Sequence, residues 1–378
     1  MVVTGYGTEI RRPVVFTPDG KWLVTYWGQD RLRLWPLPGS GSRESRELQI
    51  AAGSIKARSR LAIGPTGKQL LVTGYGDGLF VVPLEGGEPR RLEGFLQTTF
   101  LERGAFSPSG RLAAAASGFG VEERKLRVWD LETGDVKAFE LPRPVNESAG
   151  QDGSSGGADS KLLVLSLAFS DESTLFTAGE TGVLRWDLEA GTYDQIVSVK
   201  PGHITQLWLS GDRQQLITVV KELAVAGGCG PLVLHELPAG QSRELRTFVN
   251  CQDMAWPAPL VFDDTLSVMA IGRADGTLWV GRVDGGSPHL LTGHQGPIWG
   301  LAISPDGRWI ASSGEDKTLR LWPMPDLSQP PLHTLPRDEL LAKLRSLTNL
   351  RAVEDANSPT GWKVDVGPFP GWKEVPTW

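Results

Sequence analysis

The run GHQGPIWGLAISPDGRWIASSGEDKTLRLW, Gly293 to Trp322, decides how this chain folds. It holds an apolar strand, a tight Ser304-Pro305-Asp306-Gly307 turn and a second apolar strand. A polar loop containing Asp316 and a third strand ending in Trp322 follow. Pro presets φ at the second turn position, and Gly accepts the positive φ that closes a hairpin. One such unit cannot bury both of its faces alone, so it needs neighbours stacked on either side.

Outward from this stretch the turn recurs. It stands at Thr17-Pro18-Asp19-Gly20, Gly64-Pro65-Thr66-Gly67 and Ser107-Pro108-Ser109-Gly110. Weaker versions are Ser170-Asp171-Glu172-Ser173, Ser210-Gly211-Asp212-Arg213 and Phe262-Asp263-Asp264-Thr265. Most anchors lie about 40–50 residues apart, the period of one propeller blade, and seven anchors predict seven blades. The third strand recurs as RLRLWPL (31–37), GLFVVPL (78–84), KLRVWDL (125–131) and GVLRWDL (182–188), then as PLVLHEL (231–237), GTLWVGRV (276–283) and TLRLWPM (318–324). Alternation of apolar and polar residues marks strands with two distinct faces. The literal Trp-Asp pair stands at Trp129-Asp130 and Trp186-Asp187; the second, fifth and sixth copies lack Trp at that place.

These copies resemble the WD repeat, and the chain resembles a WD-repeat β-propeller. The resemblance covers most of residues 10 to 337 and is strongest in the first, third, fourth and seventh copies. It implies an all-β fold over residues 1–337, with seven blades of four antiparallel strands, and a binding platform in preference to an enzyme. In WD-repeat blades a His before the first strand bonds to a Ser or Thr, an Asp and the strand-end Trp. His294, Ser312, Asp316 and Trp322 match that pattern. Buried polar groups must be paired, so such a tetrad locks a blade and catalyses nothing.

The family's usual partner surface is the broad face lined by the loops before first strands and after second strands. Aligning the blades on their turns places Arg12, Ser59, Glu102, Leu165, Thr205, Gln252 and Trp299 at the first-strand rim. Pro257-Ala258-Pro259 distorts the spacing of the sixth blade. The loops after second strands add Trp27, Tyr75 and Glu315. Aromatic residues and Arg at a concave rim are the types that supply binding hot spots. Trp299 follows Ile298, which should point into its blade, so Trp299 should face the mouth of the central channel.

Composition narrows the partner. The 378 residues carry a net charge of −6, which argues against a nucleic-acid backbone binder. Arg11-Arg12 and Arg90-Arg91 read as solvated edges. The two cysteines, Cys229 and Cys251, match no metal-ligand spacing and read as reduced, which fits a cytosolic compartment. A disulfide between adjacent blades is the minority alternative. With no EF-hand loop, phosphate-binding loop or zinc spacing, neither metal nor cofactor is expected. No secretory start and no bilayer-length apolar run is present, so a cytoplasmic protein without a membrane partner is expected.

Between the third and fourth anchors lies PRPVNESAGQDGSSGGADS (142–160), rich in Gly, Ser and Asp. It cannot offset its ordering entropy by burial and reads as a flexible insertion. Its G-x-S-x-G at Gly153 to Gly157 lacks the strand before and helix after that a hydrolase elbow needs, so no catalytic residue is expected. At the other end, Val3-Thr4-Gly5-Tyr6-Gly7 repeats Val72-Thr73-Gly74-Tyr75-Gly76. Two readings stand: a fragment whose upstream sequence is missing, or a closure strand lent to the last blade so that the ring has no free edge. Closure is favoured for the structure, with upstream sequence in the full gene.

Residues 338–378 change period. DELLAKLRSL (338–347) puts Leu340, Leu341, Leu344 and Leu347 on one helical face, with Asp338 and Glu339 at the positive end. Beyond it, Trp362, Phe369, Trp372 and Trp378 among prolines read as an extended strap packed on the propeller or on a partner. The run TNLRAVEDANSPTGWKVDVGPFPGW resembles the C-terminal ends of bacterial multidomain proteins in which a propeller follows a signalling module, often a serine/threonine kinase. That implies an upstream effector or kinase domain of the same gene product as a partner; no kinase motif occurs here. The reading is a non-catalytic protein- or peptide-binding scaffold or sensor of bacterial signalling. Its rival is small-molecule binding or catalysis in the central channel. That requires acidic, His or Arg side chains converging from several blades, whereas VLSLAF (164–169) and IWGLAI (298–303) are mostly apolar. A purely structural role against an upstream domain is the third reading.

Overall fold

The computed structural model of the chain describes residues 2–3, 13–26, 31–50, 60–73, 79–95, 100–119, 123–142, 164–198, 202–221, 231–237, 241–245, 259–347, 350–355 and 362–366. Within them stand seven antiparallel sheets of four strands each. The first blade comprises Val14–Phe16, Trp22–Tyr26, Arg31–Pro36 and Arg46–Gln49. The innermost strands of the next five are Arg60–Ile63, Phe100–Phe106, Val164–Phe169, His203–Leu209 and Leu260–Phe262. The seventh blade is built from Ile298–Ile303, Trp309–Gly314 and Leu319–Pro323, and its fourth strand is Val2–Val3 from the other end of the chain. Val2 lies opposite Arg320 and Val3 opposite Leu319. The N-terminal strand therefore closes the ring.

Seven apolar clusters hold the blades together, and each one straddles two consecutive blades. Val24, Leu32 and Leu34 of the first blade meet Leu70, Val72 and Val82 of the second. The cluster that matters most for closure joins Ala311, Leu319 and Leu321 of the seventh blade to Val14, Leu23 and Trp35 of the first. Every blade thus buries both faces against neighbours, which a single four-stranded sheet could not do.

The turns follow the sequence, with shifts in the weak copies. Gly20 N–H donates to the Thr17 carbonyl, and Gly307 N–H to that of Ser304, both at 2.9 Å. In the fifth blade Arg213 takes the place of that glycine, at φ 63°, a left-handed conformation that a side chain makes costly. In the sixth blade Leu266 N–H donates to Asp263, so the turn falls one residue later than expected.

After the last blade a helix spans Arg337–Leu347, with Asp338 and Glu339 in its first turn. Of its predicted apolar face, Leu341 is 37% exposed. The strap read from the sequence contains a two-stranded antiparallel ribbon, Leu350–Glu354 against Trp362–Val366. The run 143–160, Cys229, Cys251, Phe369, Trp372 and Trp378 lie outside the described residues.

Candidate binding face at the central channel

The first strands are interrupted where the sequence alignment placed the rim. Their pairing slips between Val164 and Ser166, between Ile204 and Gln206, and between Ile298 and Gly300. The skipped residues are Leu165, Thr205 and Trp299, the rim residues of the fourth, fifth and seventh blades. A similar slip separates Leu101 from Gly104 in the third blade. A bulge of this kind breaks the strict alternation of a strand and re-aims the side chains around it.

Those strands enclose a cavity of ≈240 Å³ on the ring axis, and all seven blades contribute to it: Val14, Arg60, Arg103, Leu167, Gln206, Leu260 and Trp299 are among its walls. Trp299 is half-buried there, as its expected direction required. The other rim candidates divide. Leu165 is buried, at 8% exposure. The Thr205 hydroxyl turns back to the Val219 carbonyl at 3.4 Å. Glu315 is exposed, with its backbone N–H on the Pro297 carbonyl at 2.8 Å. Glu102 lies on a described strand without a described side chain, and Arg12, Trp27, Ser59, Tyr75 and Gln252 lie outside the described residues.

Sequence reasoning missed the polar residues of the channel. Arg60, Arg103 and Gln206 each stand one residue beyond a chosen rim residue, four before the anchors Gly64, Ser107 and Ser210. Arg103 Nη2 reaches Gln206 Oε1 at 3.5 Å, from the third blade to the fifth. Two arginines at one offset from the turn were a usable signal. Shifting the alignment by one residue would have found them.

A larger hollow of ≈370 Å³ lies between the fourth and fifth blades, around Arg185, Trp186, Tyr193 and Arg213. Its charges are largely spent within the fold: Arg185 pairs with Asp194 at 2.8 Å, and Asp171 accepts from Ser173 and Thr174. The channel, open to all seven blades, is the better candidate.

The tetrad residues are brought together as the pattern implied. Trp322 Nε1–H donates to Ser312 Oγ at 2.8 Å, Ser312 Oγ lies 2.7 Å from His294 Nε2, and His294 Nδ1 lies 3.0 Å from both Asp316 oxygens. Ser312 accepts from Trp322, so its own proton is directed at Nε2, and Nδ1–H donates to the carboxylate. That assigns a neutral His294. Burial lowers the His294 pKa, and the Asp316 bond and charge only partly offset this. For Asp316, burial acts to raise the pKa. Donors from Gln295 N–H, His294 and Thr318 outweigh it and hold the group at about 2. A Cβ on Gly314 would meet His294 Nδ1 at 2.5 Å, so this glycine leaves room for the ring. His294 is not among the described residues that line the channel.

Three other blades carry shorter versions of this lock. Trp35 Nε1 donates to Thr25 Oγ1 and Trp186 Nε1 to Thr177 Oγ1, both at 2.9 Å. In the fifth blade His235 replaces the Trp, with Nε2 2.9 Å from Thr218 Oγ1 and Nδ1 2.8 Å from Ser242 Oγ. Burial lowers the pKa of this His as well.

Residues 285–323 match the WD domain, G-beta repeat family. That span contains the whole tetrad. Over 196 residues the chain is 29% identical to the nuclear distribution protein nudF of Emericella nidulans, covering 46% of this chain and 41% of nudF. Over 262 residues it is 26% identical to WD repeat-containing protein 90 of Homo sapiens, covering 58% of this chain and 14% of that protein. A stretch of 34 residues is 56% identical to the probable cytosolic iron-sulfur protein assembly protein Ciao1 of Drosophila mojavensis, 9% of this chain and 10% of that one. The matches span less than half the length of these relatives. All three are eukaryotic, and the bacterial setting implied by the tail finds no counterpart among them. Among the described residues no helix is long and apolar enough to cross a membrane, and no group of three His, Cys, Asp or Glu could hold a metal ion.

Proposed function

We propose that this chain is a non-catalytic scaffold or sensor module that binds a protein or peptide on the loop-bearing face, over the mouth of the central channel. The observation that carries it is Trp299: a large aromatic side chain on a bulged strand, half-buried, lining the axial cavity instead of a blade core. An aromatic ring there is tolerated on a surface that meets a partner, where such rings supply much of the binding energy. The cavity is smaller than sites for drug-sized ligands, which run to about 300–1,000 Å³, and this favours a side chain of a larger partner over a free cofactor. Its described walls hold no Asp, Glu or His to move a proton, which weighs against catalysis in the channel. The net charge of −6 favours a protein partner over nucleic acid. An effector domain of the same gene product is one partner that the tail's resemblance supports.

The test is a pull-down with wild type and Trp299→Ala, with melting curves for both. Partner binding should weaken by about 2 kcal/mol or more, the cost of losing a hot spot, with little change in unfolding. Equal recovery of partners with a sharply lowered melting temperature would make Trp299 ordinary core and overturn the proposed face.

A further inference from the structure

Two arginines occupy seats that other blades fill with apolar residues or with glycine. The residue before the strand-end place of the third strand is Leu34, Val81, Val128, Leu234, Val280 and Leu321 in six blades, and all are buried. In the fourth blade that seat holds Arg185, half-buried and paired across the strands with Phe176. In the turn after the first strand, Gly20, Gly67, Gly110 and Gly307 sit at positive φ, and the fifth blade puts Arg213 there at φ 63°. Leu266, its counterpart in the sixth blade, buries its side chain in the core between the fifth and sixth blades. Arg213 is instead half-buried and lines the ≈370 Å³ hollow between the fourth and fifth blades, and Arg185 lines the same hollow. Both substitutions disfavour folding, one by placing charge in a core seat and the other by backbone strain. Departures of this kind collect at functional sites.

We propose that this hollow is a second docking site, which takes an extended partner segment with alternating acidic and basic residues. The hollow has walls of opposite sign. Its carboxylates, Asp171, Asp187 and Asp194, all come from the fourth blade, where Arg185 answers Asp194 at 2.8 Å. Asp171 and Asp187 each engage Oδ1 with N–H groups of their own turns. The charge of the fifth-blade wall is Arg213, whose described hydrogen bond, to the Phe169 carbonyl, is long at 3.4 Å. Successive side chains of an extended segment point to opposite sides. A carboxylate held in the Arg213 fork therefore directs the next side chain at the aspartates of the facing wall, where a cation is answered. A segment of a single sign meets like charge on one wall, and an apolar segment desolvates both walls without replacing their bonds. The volume lies within the range of about 300–1,000 Å³ typical of binding pockets. The hollow opens beside Ser170 and Gln214, which follow the first strands, whereas Leu165 lies near the start of one. It thus lies at the other end of the strands from the rim, shares no described residue with the channel wall, and does not depend on the channel face proposed above.

Rhodamine-labelled hexapeptides of alternating Glu and Lys, of Glu alone, of Lys alone and of Gln alone are titrated with the full chain by fluorescence polarisation. The alternating peptide should bind at least about tenfold more tightly than each of the others, the ratio expected of one charge-assisted contact. Arg213→Gly and Arg185→Leu install the residue types that other blades carry in these seats. Each should weaken the alternating peptide by about tenfold while leaving the urea midpoint unchanged or raised, so lost binding cannot be lost folding. Arg213→Lys, which keeps the charge and loses the fork, should weaken it by less than Arg213→Gly does. If one variant fails to fold, the other serves. No binding of the alternating peptide, equal or tighter binding of a single-sign peptide, or binding that neither folded variant weakens overturns the proposal. A fall in urea midpoint for both variants with unchanged peptide affinity would make the two arginines part of the joint between the blades and nothing more.

Discussion

The seventh and second blades share four strands and the same Pro-Gly turn, yet their interiors are filled by opposite means. In the seventh a polar chain runs from Trp322 through Ser312 and His294 to Asp316. In the second, Val72 and Val82 take the places of Ser312 and Trp322, since Leu70 pairs with Val82 as Ile310 pairs with Trp322. The sixth blade has made the same exchange, with Ile271 and Gly281 at those places. The third has made half of it: Ala115 removes the hydroxyl, Trp129 remains, and its Nε1–H donates instead to the Glu93 carbonyl at 3.0 Å. Donor and acceptor are kept together, lost together or re-partnered. Removing both partners of a buried hydrogen bond costs little, and removing one leaves the other unanswered. The Trp is therefore optional to a blade, and an answered N–H is not.

The largest effect should come from breaking the complete lock at its hub. Ser312 is fully buried, accepts from Trp322 and donates to His294. Ser312→Ala orphans both, at a cost of about 3 kcal/mol from two buried groups of ~1–3 kcal/mol each. Equilibrium urea unfolding measures it. A loss under about 1 kcal/mol would mean that the seventh blade gains no more from its polar chain than the second does from its valines.

The next effect is on pH, and it too separates locked blades from apolar ones. His294 and His235 both have pKa values below the ordinary histidine value because of burial. Below about pH 6.5 the unfolded chain takes up these protons before the folded one does. Stability is therefore full above that pH and falls as pH drops through it. Asp316 adds a second window. Its folded pKa of about 2 lies below the unfolded value, so its contribution is present above about pH 4 and lost as pH falls toward 2. Urea midpoints at pH 7.5, 6 and 5 should decline monotonically. A flat profile down to pH 5 would contradict the neutral assignment of both rings.

The same contrast explains what could be read in advance. The ring, the blade count, the closing strand and the tetrad rest on residues that form local patterns: Pro-Gly turns, alternating strands, and a His, Ser, Asp and Trp at fixed spacing. The channel was less legible. First strands run three to seven residues, and the bulges at Leu165, Thr205 and Trp299 shift which residues of the longer ones face the axis. Alignment on the turns picked Ser59, Glu102 and Thr205, one residue short of the channel-lining Arg60, Arg103 and Gln206. The sixth-blade turn slipped because Leu266 at φ 55° occupies a place where Gly20, Gly67, Gly110 and Gly307 advertise the other turns. The half-lock of Trp129 was out of reach, since its acceptor is a backbone carbonyl 36 residues away.

The smallest effect should carry the opposite sign. In the second blade Thr73, one residue beyond Val72, is 2% exposed, and its hydroxyl has no hydrogen-bond partner among the described residues. It stands where the seventh blade has Ser313, not Ser312, so no strand-end donor faces it, and Val82 could offer none. A buried hydroxyl left unanswered is a standing cost, whereas a methyl of nearly the same volume is not. Thr73→Val keeps the β-branched shape that suits a central strand and removes only the polarity. It should raise stability by about 0.5–1 kcal/mol, against the general rule that buried Thr and Val are poor substitutes for one another. Urea unfolding of Thr73→Val beside Ser312→Ala puts both signs on one scale. If Thr73→Val destabilises the chain, its hydroxyl is answered after all, and the second blade holds a polar contact of its own in place of the lock it lacks.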